Sequence, residues 1–322
     1  MAADTEVETT VNGKWTIGRY VDKGGFSKLF RVKRCNGNDD ACTGDYVIKL
    51  EQISEHRDNR ETAVYNLITY NRPGEVKANA IPTIHDMGKC VLQGSSYNLK
   101  SAVKSAKYAY TVMDRYVESS INLRNVHDNV LKLTCVIDAL DAIGYLHRIN
   151  VIHLDIKPRN FMLDGGSRIK LIDYGLSRVC TLNADSPRLQ SQKPRDCWSG
   201  TLKYIGLDVH YGLYSKRSDL QSMIYTIMVW FGVDLPWSLN CGASKYHSRV
   251  ARQKEKLRRQ NYTTILDNFD IDYIPTQSTI LDLFRWIDRL DILDPEPYAV
   301  EMREKLTLAR NCEEHLIRDC KN

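Results

Sequence analysis

The sequence has no apolar run approaching the roughly 18 residues that a membrane-crossing helix needs, which excludes a helical span. Its nine cysteines are odd in number and scattered, with no Cys-x-x-Cys pair. That pattern argues against a disulfide framework or a zinc site and predicts reduced thiols. The start, Met1-Ala-Ala-Asp-Thr-Glu-Val-Glu8, is acidic and polar, unlike a signal or transit peptide. The end, Arg318-Asp-Cys-Lys-Asn322, has no lipidation signal and no basic cluster. Charge of one sign is not in large excess: the net charge is +5, with both signs interspersed. A basic patch is permitted, but no nucleic-acid partner is required. Repeats and low-complexity segments are absent. These absences predict a soluble cytoplasmic or nuclear protein without membrane attachment. At 322 residues, 43 % hydrophobic and 26 % charged, the chain suits one large domain or two joined lobes.

What is present is concentrated in two short stretches. His153-Leu154-Asp155-Ile156-Lys157-Pro158-Arg159-Asn160 precedes Ile172-Asp173-Tyr174-Gly175-Leu176. Two acids, a lysine and an asparagine thus lie between apolar runs. Phosphoryl transfer needs such a set: one carboxylate orients or deprotonates a hydroxyl, while another with an amide holds Mg²⁺. Asp155 is the candidate base. Lys157 would neutralise charge on the transferred group. Asn160 and Asp173 are the candidate metal ligands. Leu171 and Ile172 place Asp173 at the end of a buried strand, where an unpaired carboxylate is costly.

Lys49 ends Tyr46-Val47-Ile48-Lys49, a strand-like run. A lysine there can reach the α- and β-phosphates of a nucleotide if a carboxylate holds it. Glu61 is the preferred partner, and Glu55 is the rival. Upstream, Asp22-Lys23-Gly24-Gly25-Phe26-Ser27 stands where a phosphate-cradling G-x-G-x-x-G is expected, with only the middle glycine retained. Glycines let backbone N–H groups approach phosphate closely. Asp22 in the first slot would repel phosphate if it pointed inward.

Strands are expected at 15–18, 29–32, 46–50 and 108–113, and helices at 56–70, 128–147 and 219–231. Pro73-Gly74 should end the first helix. The stretch 180–200 reads as an extended loop, and Lys100, Lys104 and Lys107 as a solvated loop between strands. Strands first and helices later predict an α+β fold with two lobes and a cleft between them. The boundaries are a tail at 1–13, a β-rich lobe with its connector at 14–116, and a helical lobe at 117–322.

Together these residues resemble a eukaryotic protein kinase, and more narrowly the vaccinia-related kinases near casein kinase 1. Asp173-Tyr174-Gly175 has Tyr where most kinases have Phe. His153-Leu154-Asp155 lacks the usual Arg; members of this branch commonly have Gly there, so Leu154 is a departure. Gly200-Thr201-Leu-Lys-Tyr204, Leu207-Asp208-Val-His210-Tyr-Gly212, Lys216-Arg217-Ser-Asp219-Leu220 and Leu235-Pro236-Trp237 are similar to the branch pattern, and no A-P-E is visible.

The resemblance covers roughly 14–310. It implies ATP and Mg²⁺ as cofactors and a monomer acting on a protein substrate, chromatin- or nucleic-acid-associated. Met113 would be the gatekeeper, with Asp114, Arg115 and Tyr116 taking the adenine edge. The nucleotide site would be completed by Val21, Asp22, Lys23, Gly24, Gly25, Phe26, Ser27, Val47, Lys49 and Met162. Lys157 and Thr201 match positions that mark serine/threonine specificity. Asp219 would hydrogen-bond the backbone of the catalytic loop. The expected function is therefore transfer of the ATP γ-phosphoryl group to Ser/Thr hydroxyls. A pseudokinase scaffold is the alternative, supported by Asp22, Ser27 and Leu154. A basic nucleic-acid-binding protein is a third reading, resting only on the net charge and the three lysines.

Overall fold

Alternating burial builds a six-stranded antiparallel sheet from the first third of the chain. The computed structural model describes residues 9–24, 27–35, 44–53, 60–71, 80–93, 105–165, 168–180, 200–240, 246–269, 274–292 and 300–319. The strands are β1 (Thr10–Val11), β2 (Trp15–Lys23), β3 (Ser27–Arg34), β4 (Tyr46–Gln52), β5 (Ile84–Gln93) and β6 (Ser105–Asp114), in the order β1-β2-β3-β4-β6-β5. Trp15, Ile17, Phe30, Val32, Ile48, Leu50 and Val112 share one core on this sheet. Side chains alternate along a strand. With Ile48 and Leu50 in that core, Val47 and Lys49 fall on the opposite face. Helix α1 (Arg60–Tyr70) buries Val64, Tyr65 and Ile68 and carries Glu61 in its first turn.

The chain divides into two units. One holds residues up to Thr69 together with Pro82–Arg115; the other holds Tyr70–Ile81 and Tyr116 onward. In the second unit α2 (Asn129–Arg148) starts at Asp128, whose side chain accepts from Leu131 N. Three short strands, β7 (Glu118–Ser119), β9 (Phe161–Leu163) and β10 (Ile169–Leu171), form a small sheet, and β8 (Val151–Ile152) pairs with β11 (Arg178–Val179). Helix α3 (Leu207–His210) leads to α4 (Lys216–Trp230), which is capped by reciprocal Ser215 and Ser218 bonds. Nearly every residue of α4 is buried, as expected of a helix apolar all round. Helices α5 (His247–Arg259), α6 (Ile274–Arg289) and α7 (Val300–Asp319) follow. The α+β expectation holds, with a strand-rich region first and helices after it.

Several expectations are corrected. Lys107 lies within β6 rather than in a loop; Lys100 and Lys104 lie outside the described residues. Helix α1 is described from Arg60; residues 56–59, Glu55 and Pro73-Gly74 lie outside them, as do residues 181–199 of the expected loop. Strand β5 has no counterpart among the strands expected from the sequence. The described thiols, Cys35, Cys90, Cys135, Cys180 and Cys312, are free. No described helix is long and apolar enough to cross a membrane.

Candidate active site

In the first unit, register places Lys49 opposite Leu29 on β3 and Thr111 on β6. Its Nζ donates to Glu61 Oε1 at 2.8 Å, with both side chains largely buried. Of the two candidate carboxylates, Glu61 is thus the one seen paired. Its place at the helix N-terminus also suits a negative charge. Val47 and Met113 are buried. Asp114 ends β6 and its carboxylate meets His85 Nε2 at 2.7 Å. The β2–β3 hairpin keeps Val21, Asp22, Lys23 and Gly24 exposed. Asp22 Oδ1 accepts from Lys23 N at 2.7 Å, and Gly24 N donates to Ser27 O at 2.9 Å. Gly25 and Phe26 lie outside the described residues.

In the second unit, the loop between β8 and β9 carries Asp155, Lys157 and Asn160. Its geometry is imposed by α4. Asp219 accepts from His153 N at 2.7 Å and from Leu154 N at 2.8 Å, and also meets His147 Nε2 at 3.1 Å. Trp230 Nε1 donates to Ser120 Oγ, which donates to Pro158 O at 2.7 Å. His153 ties the two motif stretches together: Nδ1 accepts from Asp155 N at 3.2 Å, so Nε2 carries the proton and donates to Ile172 O at 3.2 Å. Burial lowers its pKa despite the neighbouring carboxylates of Asp219, Asp155 and Asp173, which keeps the ring neutral.

Asp155 receives four donors. Oδ2 takes Lys157 Nζ at 2.6 Å and Asn160 Nδ2 at 3.1 Å, while Oδ1 takes Thr201 Oγ1 at 2.9 Å and Thr201 N at 3.1 Å. Lys157 Nζ also reaches Thr201 Oγ1 at 3.0 Å. A carboxylate has about four lone-pair sites, so this one is fully engaged. Asn160 Nδ2 donates in addition to Asp155 O at 2.8 Å. Two acceptors on one side fix the amide orientation and turn Asn160 Oδ1 away from Asp155. An amide oxygen and the carboxylate of Asp173 make a hard-oxygen donor set that fits Mg²⁺. Asp173 is half-buried with φ +68°, two residues past β10 rather than at its end. Tyr174 is fully buried and donates to Leu171 O at 2.9 Å. Met162 sits half-buried in β9, and Tyr116 opens the second unit, half-buried.

Leu154 does not point toward the acidic residues. It packs with Ile152, Ile205, Val209 and Tyr214. Some contributors were invisible to sequence reasoning. The His153 bridge, Ser120 and Trp230 have no spacing signature, because each acts across a large sequence separation.

The chain matches the family described as protein kinase domain over residues 52–292. A probable serine/threonine-protein kinase of fowlpox virus is 28 % identical over 234 residues, covering 70 % of this chain and 75 % of the relative. A probable casein kinase I homolog of Encephalitozoon cuniculi is 27 % identical over 293 residues, covering 88 % and 81 %. The B1 kinase of vaccinia virus (strain Western Reserve) is 24 % identical over 302 residues, covering 91 % and 93 %. The nucleosomal histone kinase 1 of Drosophila melanogaster is 24 % identical over 240 residues, 70 % of this chain but 37 % of that protein. The chain belongs to the protein kinase family, on the branch of the vaccinia-related kinases and casein kinase I.

Proposed function

We propose that this protein is an active serine/threonine kinase that moves the γ-phosphoryl group of ATP to protein Ser or Thr hydroxyls. The observation that carries this reading is the clasp around Asp155, where Lys157, Asn160 and Thr201 all converge on one carboxylate. A candidate base bonded directly to a lysine is what phosphoryl transfer asks for, which favours this reading over a scaffold. When bound, Mg²⁺ held by Asn160 and Asp173 would neutralise charge on the phosphate oxygens.

The residues of the chain do the rest. Lys49, held by Glu61, would bind the α- and β-phosphates. In the same unit the backbone of 113–115 would take the adenine edge, and Val21 and Val47 would supply apolar contact to the ring. Asp155 has no spare lone pair, so a substrate hydroxyl must displace one donor. Lys157 is the donor that leaves, since it has a phosphoryl oxygen to go to and Asn160 and Thr201 do not. Asp155 then orients the hydroxyl and takes its proton as the new O–P bond forms and the bond to the ADP oxygen breaks. His153, neutral and locked between the two loops, keeps Asp155 and Asp173 in register.

The substrate is a protein. The name of the Drosophila relative makes a basic, histone-like protein the first candidate. The test is transfer from ATP/Mg²⁺ to casein and to a basic protein, with Asp155→Ala and Asp173→Ala as controls. Each variant should lose at least about a hundred-fold in rate while melting normally. Wild-type transfer no faster than these variants would instead make the protein a scaffold.

A further inference from the structure

Helix α5 buries Val250, Leu257 and, on the same face, Lys254, which is 1 % exposed. Removing an ammonium from water is costly unless its donors are met. Lys254 Nζ donates to Leu202 O at 3.0 Å, to Ile205 O at 2.8 Å and to His210 Nε2 at 3.2 Å. The rings of Tyr225 and Trp237 lie 4.7 and 5.3 Å from it. His210 therefore accepts with Nε2 and is neutral; burial and the ammonium press its pKa down to about 2. Trp237 Nε1 grips the intervening carbonyl, Lys203 O, at 2.8 Å.

Two consecutive carbonyls of one turn, Leu202 O and Lys203 O, and that of Ile205 are thus held by side chains from outside it. That turn has its own internal bonds: Tyr204 N and Ile205 N both donate to Thr201 O. Its first residue is Thr201, whose N and Oγ1 hold Asp155 Oδ1. Just before it, Gly200 has φ +101°, and a Cβ there would come within 2.5 Å of Leu154 O, so the turn lies directly against the catalytic loop.

We propose that Lys254 is a positioning residue for phosphoryl transfer: by binding the Leu202 and Ile205 carbonyls it fixes Thr201, and through Thr201 the rotamer of Asp155. This rests on the kinase reading for its effect on rate, but not for its effect on the turn. A small misplacement of a catalytic group can cost up to about a hundred-fold.

The test compares Lys254→Met, Thr201→Ala and the double variant. Lys254→Met should lower kcat on a peptide substrate about ten-fold, with KM for ATP within about two-fold. In the Thr201→Ala background it should cost less than about two-fold, because residues acting in series are not additive. Hydrogen exchange gives the second readout. The amides of Thr201, Tyr204 and Ile205 should exchange about ten-fold faster in Lys254→Met, with those in the middle of α4 unchanged. If Lys254→Met does not fold, Lys254→Arg is read the same way, since its planar head keeps the charge but changes the donor geometry. Full multiplication of the two rate losses, or uniform loss of protection across the unit, would mean that Lys254 only stabilises the core. If the wild type transfers no phosphate, the kinase reading fails and exchange alone decides: unchanged protection at the three amides overturns the proposal.

Discussion

Leu154 is buried among aliphatic side chains yet has φ +65°. A left-handed backbone costs a Cβ-bearing residue about 1–2 kcal/mol and costs glycine nothing. The glycine that the family resemblance leads one to expect here would carry no such strain. The leucine offsets the strain by burial, about 1.5–3 kcal/mol for such a side chain. Two outcomes follow for stability. Leu154→Ala keeps the strain and loses the packing, so it should be less stable than Leu154→Gly by about 1 kcal/mol, the reverse of the usual order at a buried site. Urea unfolding midpoints of the two variants check this, and equal midpoints would show that the backbone is not strained. Leu154→Arg should cost about 3 kcal/mol or more, because the side chains of Ile152, Ile205, Val209 and Tyr214 offer no carboxylate to a guanidinium. Asp22 is a milder case. Its carboxylate already accepts from Lys23 N and is exposed. Asp22→Gly should therefore change ATP affinity by no more than about five-fold, in the direction of tighter binding, as read by nucleotide titration.

At the scale of elements, two glycines let the chain pass where a side chain cannot. Gly206 precedes α3, and a Cβ there would stand 2.5 Å from Ser218 O and 2.9 Å from Gln221 Oε1. Gly200 meets both a backbone carbonyl and a positive φ. Gly200→Ala should thus lower the melting temperature by several degrees and lose most of the activity, because the displaced turn carries Thr201. A melting curve and a rate on the same sample check both. These constraints also show where sequence reasoning reaches and where it stops. Asp155, Lys157, Asn160 and Asp173 were legible because their spacing is local, and Lys49 because it ends a β-branched run. Glu61 was named beside a rival, because a helix start near a polar stretch fixes no partner; the 2.8 Å ion pair does. Strand β5, Ile-His-Asp-Met-Gly-Lys-Cys-Val-Leu-Gln, was missed because its apolar residues do not alternate cleanly. Its Asp86 would be a poor strand residue alone, but Trp15 Nε1 donates to it at 2.9 Å and Tyr110 Oη at 3.3 Å. Lys254 was unreadable for the same reason: α5 is polar overall, and only tertiary contact reveals which lysine turns inward.

For the whole molecule, neutral buried histidines contribute to the response to acid. His153 and His210 both have pKa values lowered by burial, the latter to about 2, against an ordinary value near 6.5. The unfolded chain therefore takes up protons first. Their contribution is fully present above pH 6.5 and is lost as pH falls below it toward the folded values. Each neutral histidine adds a slope of about 1.4 kcal/mol per pH unit. Urea midpoints at pH 7.5, 6.5 and 5.5 should be flat above 6.5 and fall below it, and His210→Gln should reduce the fall. Activity, by contrast, should not require phosphorylation between Asp173 and Gly200. Kinases switched that way commonly receive the new phosphate on the Arg that precedes the catalytic Asp, and Leu154 has neither charge nor donor. Phosphatase treatment should leave the initial rate within about two-fold; a ten-fold loss, about 1.4 kcal/mol, that returned on phosphorylation of that stretch would overturn this. Helix α7 lies beyond residue 292, where the family match ends, yet it packs on α2, burying Met302, Leu306 and Ala309 and pairing Arg303 with Asp141 at 2.9 Å. A chain ending at residue 292 would uncover the apolar face of α2 and should aggregate, so inactivity of that shorter chain would say nothing about the activity of the full one.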